Sequence, residues 1–299
     1  MNKIALSREA ICAIIVTYNP KKDFSKNIID FITQFNRIVI IDNASSSETL
    51  EELNELKKFN SVVIIVNSIN KGIGAALNQG IRLAFEMNYK WALTLDQDSL
   101  PSNQMLIEQI IVYEKYSPQK LIGIIGANPI DSKTGQSPYR FIYTGNPWSE
   151  QKVLITSGCL MPLVPYKIVG PFREDFFIDG VDQEYCLRLR HYGYKVILAH
   201  NAIMTHSLGS PIIKTFLGKV FIPTNHSSLR YYYFIRNGIY IARIYFFSES
   251  RWVTRHLFAQ FKLVFKIILF EHEKVEKLKM VFLGFCHALS GKLGSLQVR

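Results

Sequence analysis

"WALTLDQDSL", residues 91–100, sets an almost uninterrupted apolar run against two carboxylates one residue apart, Asp96 and Asp98. In an extended strand, positions i and i+2 point to the same side. Two like charges so placed repel unless a cation or water stands between them. The stretch has two readings. One is a strand running out into a polar turn, with Asp98, Ser99 and Pro101 as turn formers. The other is a divalent metal site at the carboxyl edge of a sheet.

On both sides of this stretch the same pattern repeats. "AIIVTYNP" (13–20), "IVIIDNAS" (38–45), "VVIIVNS" (62–68) and "LIGIIGAN" (121–128) are apolar runs that end in polar or turn residues. Helical spacing falls between them, over 23–36, 46–59, 70–88 and near 102–116. In the first, Phe24, Ile28, Ile32 and Phe35 lie near one face. The second opens on serine, with acids in its first turn and lysines in its last, as a helix dipole favours. Continuous apolar strands alternating with helices predict an α/β fold with a mostly parallel sheet covered on both faces. Such sheets bind ligands at the carboxyl ends of their strands. Those ends carry Thr17, Tyr18 and Asn19, then Asp42 and Asn43, then Asn67, then Asp96 and Asp98. "NKGIGAALNQG" (70–80) puts small residues at a helix start, where backbone N–H groups can approach a phosphate. Gly72 and Gly74 serve tight helix–sheet packing equally well.

The chain has 299 residues, 48% of them hydrophobic, which suffices for one large domain or one domain with an appendage. Cys12, Cys159, Cys186 and Cys286 show no metal or redox spacing, so a reduced, cytosolic chain is expected. "MNKIALSREA" has no apolar signal core, and no run of apolar residues is long enough to span a bilayer. The net charge of +11 sits in the C-terminal third, where residues 214–299 hold 14 Lys and Arg against 4 Asp and Glu. That points to an anionic partner there: a membrane surface, a phosphate-bearing acceptor or nucleic acid.

"FFIDGVDQEYCLRLRHYGYKV" (176–196) places Asp179, Asp182 and Glu184 at the start of a helix ending near Gly193, with Arg188 and Arg190 behind them. One acid there would cap the helix; three, following two phenylalanines, read as a pocket wall. His206, in "THSLGS" (205–210), is either a structural histidine or the completion of a metal shell. Residues 129–150 are a polar connection between two halves of the domain. From about residue 226 long helices are expected. One of them, 251–270, carries Arg251, Arg255, Lys262 and Lys266 within roughly 60° of one another on an otherwise apolar and aromatic helix. It suits either a membrane interface or packing on the catalytic domain with the basic stripe in water.

"VTYNP", "IIDNAS", "NKGIGAALNQG" and "LTLDQDS", continued by "SGCLMP", "FFIDGVDQEYCLRLRHYGYK" and "HSLG", resemble a family 2 inverting glycosyltransferase in order and spacing to about residue 210. "DQDS", "DGVDQEYCLR" and "YYYFIRN" (231–237) are most similar to the rhamnosyltransferase branch that builds bacterial surface polysaccharides. The resemblance implies a GT-A fold, a Rossmann-like mixed sheet with helices on both faces. It divides the chain into a catalytic domain, 1–225, with a nucleotide-sugar half (1–128) and an acceptor half (129–225), and a helical region, 226–299. Thr17, Tyr18 and Asp42 would hold the nucleotide base and its surroundings. Asn19, Lys71, Gly72 and Arg188 join the donor-binding set. Asp98 would bond Mg²⁺ or Mn²⁺, Asp96 would hold the ribose side or a water on the metal, and His206 would reach the same ion. Asp182 matches the aspartate of the E-D-x-D-x-C pattern and would be the general base. Val181 stands where many relatives have Glu, so Asp179 or Glu184 could share that role. The implied donor is dTDP-L-rhamnose, with other UDP- or GDP-hexoses as the alternative. The implied acceptor is a polyprenyl-diphosphate-linked glycan such as O antigen, met at the inner face of the cell membrane through 226–299.

The chemistry is consistent with this. A divalent cation stabilises charge on a departing diphosphate, carboxylates suit a hard cation, and one carboxylate must take the acceptor's proton. One base and one metal give a single displacement with inversion. A sugar nucleotidyltransferase would instead need a Gly-rich basic loop where "VTYNPKKDF" stands. A nucleic-acid binder would need stacking aromatics in a basic groove, so nucleic acid is not an expected partner. Asp96, Asp98 and Asp182 together weigh against a sugar-binding scaffold without activity, a reading that an assay decides.

Overall fold

The computed structural model describes residues 6–132, 134–139, 145–206, 214–216, 219–221 and 225–296. Gly209 and the rest of "SLGS", and part of the expected 129–150 connection, lie outside the described residues. The first half runs β1 (Ile11–Thr17), α1 (Phe24–Asn27), α2 (Ile29–Ile32), β2 (Ile38–Asp42), α3 (Ser47–Asn54), β3 (Val62–Val66), α4 (Ile73–Glu86) and β4 (Trp91–Asp96). Every residue of β1 and β2 is buried, as continuous apolar strands require. The four strands pair in parallel in the order β3-β2-β1-β4. Register sets Val16 beside Asp96 and Thr17 beside Asp42, so the polar strand ends line up along one edge. Alternate residues of β1 feed two cores. Cys12, Ile14 and Val16 face α4, and Ile11, Ala13 and Ile15 face the side covered by the helices after β1.

The second half runs β5 (Ser99–Pro101), α5 (Met105–Lys115), β6 (Ile122–Asp131), β7 (Trp148–Glu150), β8 (Cys159–Pro162), α6 (Leu163–Val169), α7 (Val181–His191) and β9 (Lys195–His206), followed by a hairpin of β10 (Lys214–Phe216) and β11 (Lys219–Phe221). Here the sheet is mixed rather than mostly parallel. β8 enters antiparallel between β4 and β6, β6 and β9 run parallel, and β5 and β7 lie antiparallel on β9. The polar connection expected from residue 129 begins as strand: Asn128–Asp131 pairs with Ile203–His206, which carries the end of β9 to the ligand edge.

The segment 23–36 also differs. It forms two short helices, not one, although Phe24, Ile28, Ile32 and Phe35 are all buried as expected. Adjacent β-branched residues at 28 and 29 weaken a helix too short to pay for its own nucleation.

Three helices close the chain: α8 (Ser228–Tyr245), α9 (Ser250–Phe270) and α10 (Lys274–Ser290). α8 buries Tyr231, Tyr232, Tyr233, Arg236 and Asn237. α10 lies against it so closely that a Cβ at Gly284 would strike the Tyr232 carbonyl. α9 turns a narrow seam inward, Val253, Gln260 and Ile267, spaced seven residues apart. Its outer side exposes Leu257, Phe258, Phe261, Phe265 and Ile268, with Phe261 69% exposed. At about 100° per residue these five cover an arc of roughly 100°, and the stripe of Arg251, Arg255, Lys262 and Lys266 lies directly beside it. Among the described residues, no helix is long and apolar enough to cross a membrane.

Candidate functional site

A cavity of about 620 Å³ opens at the carboxyl edge of the parallel strands. Its first wall is the end of β4. The backbone N–H of Asp96 donates to Ser157 Oγ at 3.0 Å. Ser157 Oγ lies 2.7 Å from Ser99 Oγ, which lies 2.8 Å from His206 Nδ1. The pairing of β5 with β9 sets Ser99 opposite His206. That brings His206 to the open carboxylate of Asp98, 3.5 Å away. Burial, then the charges of Asp98 and Asp182, push the Asp96 carboxyl up to about 7. Such an excess of carboxylate is a donor set for a hard cation. Asp96, Asp98 and His206 are the side chains that could hold one. They are not drawn into a cage: among the described residues, no three acidic, His or Cys groups stand close enough together to enclose an ion.

The loops after β1, β2 and β3 make the floor. Gln97 clasps Tyr18 from both sides, accepting from its N–H at 2.6 Å and donating to its carbonyl at 3.1 Å. The Tyr18 ring is left half exposed at the mouth. Thr17 and Gly72 line the cavity. Asp42 is fully buried beneath it, accepting from Thr17 Oγ1 at 2.9 Å and from the N–H and Oγ of Ser45. Asn19 stitches the loops after β1 and β2 through Ser45 and Ser46. Lys71 is exposed, and its N–H donates to Asn43 Oδ1. A Cβ at Gly72 would collide with the backbone of Phe177, and one at Gly74 with that of Arg173. These glycines therefore bring the helix start against the opposite wall, and Gly72 also borders the cavity.

That opposite wall is the loop before α7. Phe177, Asp179 and Gly180 adopt positive φ of 66°, 60° and 80°, a conformation costly for non-glycine residues. It is held from behind by α8. The Asn237 amide donates to the carbonyls of Phe176, Ile178 and Asp179 at 2.8–3.0 Å. Buried Arg236 donates to those of Asp175 and Phe176. Held this way, the loop turns Asp182 into the cavity. Burial raises the Asp182 carboxyl to about 6, against the lowering effect of the Gln183 N–H that donates to it at 2.8 Å, with the nearby charge of Asp179 adding to the rise. Asp179 also lines the cavity, but its carboxylate is engaged by Arg230 Nε and Nη2.

Five of the expected residues do not line the cavity: Asn19, Asp42 and Lys71 belong to the loops beneath it, and Glu184 and Arg188 face elsewhere. Glu184 is buried between Arg188, at 2.9 Å, and the Tyr245 hydroxyl, at 3.0 Å. Arg188 in turn donates to the carbonyls of Val169 and Pro171. Both sit on the packing side of α7, away from the cleft. Residues two apart on a helix are about 200° apart, so Asp182 and Glu184 could not share a wall once both lay on α7. The i, i+4 spacing of Glu184 and Arg188 was a second sign of pairing.

A family model described as Glycosyl transferase family 2 matches residues 12–168, more than half of the chain. The chain belongs to glycosyltransferase family 2. The transferase is 31% identical over 243 residues to the dTDP-rhamnosyl transferase RfbF of Shigella flexneri, covering 78% of this chain and 80% of that one. Its fold matches TarS 1-349 of S. aureus, with a TM-score of 0.61 at 13% identity over 93% of this chain and 80% of that one. It also matches the mannosyltransferase PcManGT of Pyrobaculum calidifontis, solved with GDP-Man and Mn²⁺, with a TM-score of 0.57 at 12% identity over 97% and 77% of the two chains. These likenesses show the GT-A fold.

Several residues of the transferase's cleft carry no local signature in its sequence. Gln97 stands between the two aspartates without a pattern of its own. His226, Arg230 and Phe234 line the cavity from α8 and the residues before it, beyond the boundary drawn at 225. The last two residues of "YYYFIRN", Arg236 and Asn237, hold the Asp182 loop. Buried Arg and Asn side by side on an aromatic helix were the available signal, since such groups need built partners.

Proposed function

We propose that this glycosyltransferase moves L-rhamnose from dTDP-L-rhamnose to a lipid-linked surface glycan such as O antigen, with inversion at the anomeric carbon. The donor rests on the 31% identity to a dTDP-rhamnosyl transferase over 78% of the chain. The mechanism rests on Asp182, whose carboxylate faces the same cavity as Asp96 and Asp98 while Asp179 and Glu184 are engaged by arginines. Asp182 takes the proton from the acceptor hydroxyl as its oxygen bonds to the anomeric carbon. The bond from that carbon to the diphosphate oxygen breaks on the opposite face, and the diphosphate leaves with the electron pair. With a carboxyl that titrates near 6, Asp182 is ionised at neutral pH and still basic enough to take the proton. Tyr18, clasped by Gln97, stands where it can flank the base. A divalent cation, Mg²⁺ or Mn²⁺, held by Asp98 and Asp96 with His206 behind them, would neutralise the leaving diphosphate.

The lipid-linked acceptor gives the outer side of α9 its part. The aromatic arc enters the interface, and the basic stripe beside it meets anionic headgroups, each charge adding about 1 kcal/mol. Contact is peripheral and weakens in high salt. Replacing Arg251, Arg255, Lys262 and Lys266 with Gln lowers flotation with anionic vesicles. Unchanged flotation makes α9 ordinary packing.

The donor is tested by screening nucleotide sugars with purified protein and following nucleotide release with and without Mg²⁺ or Mn²⁺. dTDP-L-rhamnose turns over in preference to UDP- and GDP-sugars, and NMR shows an α product from the β donor. Preference for a UDP-hexose overturns the donor assignment. A retained anomer overturns the single displacement.

A further inference from the structure

Four carboxylates line the cleft: Asp96, Asp98, Asp179 and Asp182. Among the described lining residues, Arg230 is the one Lys or Arg side chain. Building on the donor reading above, a sugar nucleotide brings at least two more negative charges into this space. A cation between Asp96 and Asp98 answers part of that charge on the strand wall. On the loop wall, among the described lining residues, the guanidinium of Arg230 is the Lys or Arg side chain that can answer it.

The grip of Arg230 on Asp179 is loose. Its two bonds measure 3.2 and 3.3 Å. Arg190 holds Glu249 at 2.7 Å and Arg188 holds Glu184 at 2.9 Å, the range usual for charge-assisted pairs. The Arg230 side chain is also 46% exposed, whereas Asp179 is 16% exposed. A half-solvated guanidinium can change partners at little cost, because the pair it leaves is partly screened. Arg236, six residues further along α8, is the opposite case. It is wholly buried and donates to four groups at 2.6–3.1 Å, so it cannot move without leaving carbonyls unpaired. The loop therefore does not need Arg230 to keep its shape, since Arg236 and Asn237 already hold its carbonyls.

We propose that Arg230 is a diphosphate-binding residue held in reserve by Asp179: a nucleoside diphosphate takes its guanidinium from the Asp179 carboxylate. A planar guanidinium pairs two oxygens of a phosphate as readily as those of a carboxylate. Asp179 is then a competitor for the same cation, and the two residues have opposite effects on nucleotide affinity.

That opposition is the test. Calorimetry measures dTDP and dTMP binding, with Mg²⁺ and in EDTA, for the parent, Arg230→Gln and Asp179→Asn. Both variants break the same ion pair, and asparagine tolerates the positive φ at 179. Arg230→Gln weakens dTDP about tenfold or more, with and without Mg²⁺, and changes dTMP much less. Asp179→Asn tightens dTDP several-fold. If both variants weaken dTDP alike, the pair is a structural strut and the proposal falls. If Arg230→Gln binds dTDP as the parent does, Arg230 is not a phosphate ligand. A parent that binds UDP or GDP but not dTDP overturns the donor assignment; the same comparison is then made with that nucleotide. A parent that binds no nucleotide overturns both.

Discussion

The two walls of the cleft reach the same edge by different means. On the strand wall, Asp96 ends β4 and Asp98 follows two residues later, so their place is set by a run of backbone pairing that extends through β1, β2 and β3. On the loop wall, Asp182 follows three positive-φ residues whose shape depends on side chains nearly sixty residues further along the chain. A wall made of strand ends is held mainly by backbone pairing, completed here by Ser157 and by the pairing of β5 with β9. A wall made of strained coil depends on side chains packed behind it, because unfavourable φ persists only where surrounding bonds over-determine it. The proposed roles divide in the same way: charge for a cation on the strand wall, and the proton acceptor on the loop wall.

The sharpest way to break this division is Asp182→Asn. Turnover falls about 10²- to 10⁴-fold, while calorimetry finds nucleotide affinity within about threefold of the parent. Glu184→Gln, on the packing side of the same helix, keeps turnover and loses stability. If Glu184→Gln is inactive while Asp182→Asn turns over, the base has been placed on the wrong face of α7.

A smaller effect separates the supports of the two walls. Asn237→Ala leaves the carbonyls of Ile178 and Asp179 without their amide partner. Unfolding in urea shows a loss of about 2 kcal/mol or more, and turnover falls about tenfold as Asp182 loses its position. Gln97→Ala, at the exposed Tyr18, costs less than about 1 kcal/mol, since water replaces its bonds. Equal losses for the two would mean that the loop supports itself.

Next in size is a pH effect on the loop wall. The proposed base, Asp182, would act as the carboxylate, and its carboxyl lies near 6. The value of kcat/KM therefore falls as pH drops through about 6, to about one tenth of its plateau at pH 5. A profile flat to pH 5 removes Asp182 from the role of base.

The smallest effect belongs to the strand wall. Asp96 is raised from 3.8 to about 7 in the fold. Its native form holds a proton that the unfolded chain releases, so the ionised carboxylate costs stability as pH rises above about 4, and the cost is complete above about 7. Asp96→Asn, measured by thermal unfolding in EDTA at pH 8, raises Tm by about 2–4 °C. The gain shrinks as pH falls towards 4. A lower Tm at pH 8 would mean that the carboxylate is already satisfied without a cation.

Much of this was legible from local pattern. "WALTLDQDSL" read correctly as a strand running out into a polar turn, because burial on both faces of a sheet demands continuous apolar residues; the strand stops at Asp96, so its two-residue period does not reach Asp98, which lies in the turn, and Ser99 and Pro101, expected as turn formers, begin the next strand. In 23–36 the buried face was right and the single helix was not, because periodicity reports which side is covered, not whether the backbone can stay helical.

What the sequence determined by itself was the class of fold, the ligand edge and the chemical character of its residues, since strand and helix periods act over a few neighbours. Tertiary structure alone decided which acids meet the cleft. His206 reaches Asp98 because β5 pairs with β9. Asp182 faces inward and Glu184 outward because α7 starts at Val181, after a coil that Asn237 holds. Arg230 joins the site because α8 folds back across it. These contacts span from about fifty to more than a hundred residues of chain. Their energies come from buried groups finding partners, and no local period records which partner is found.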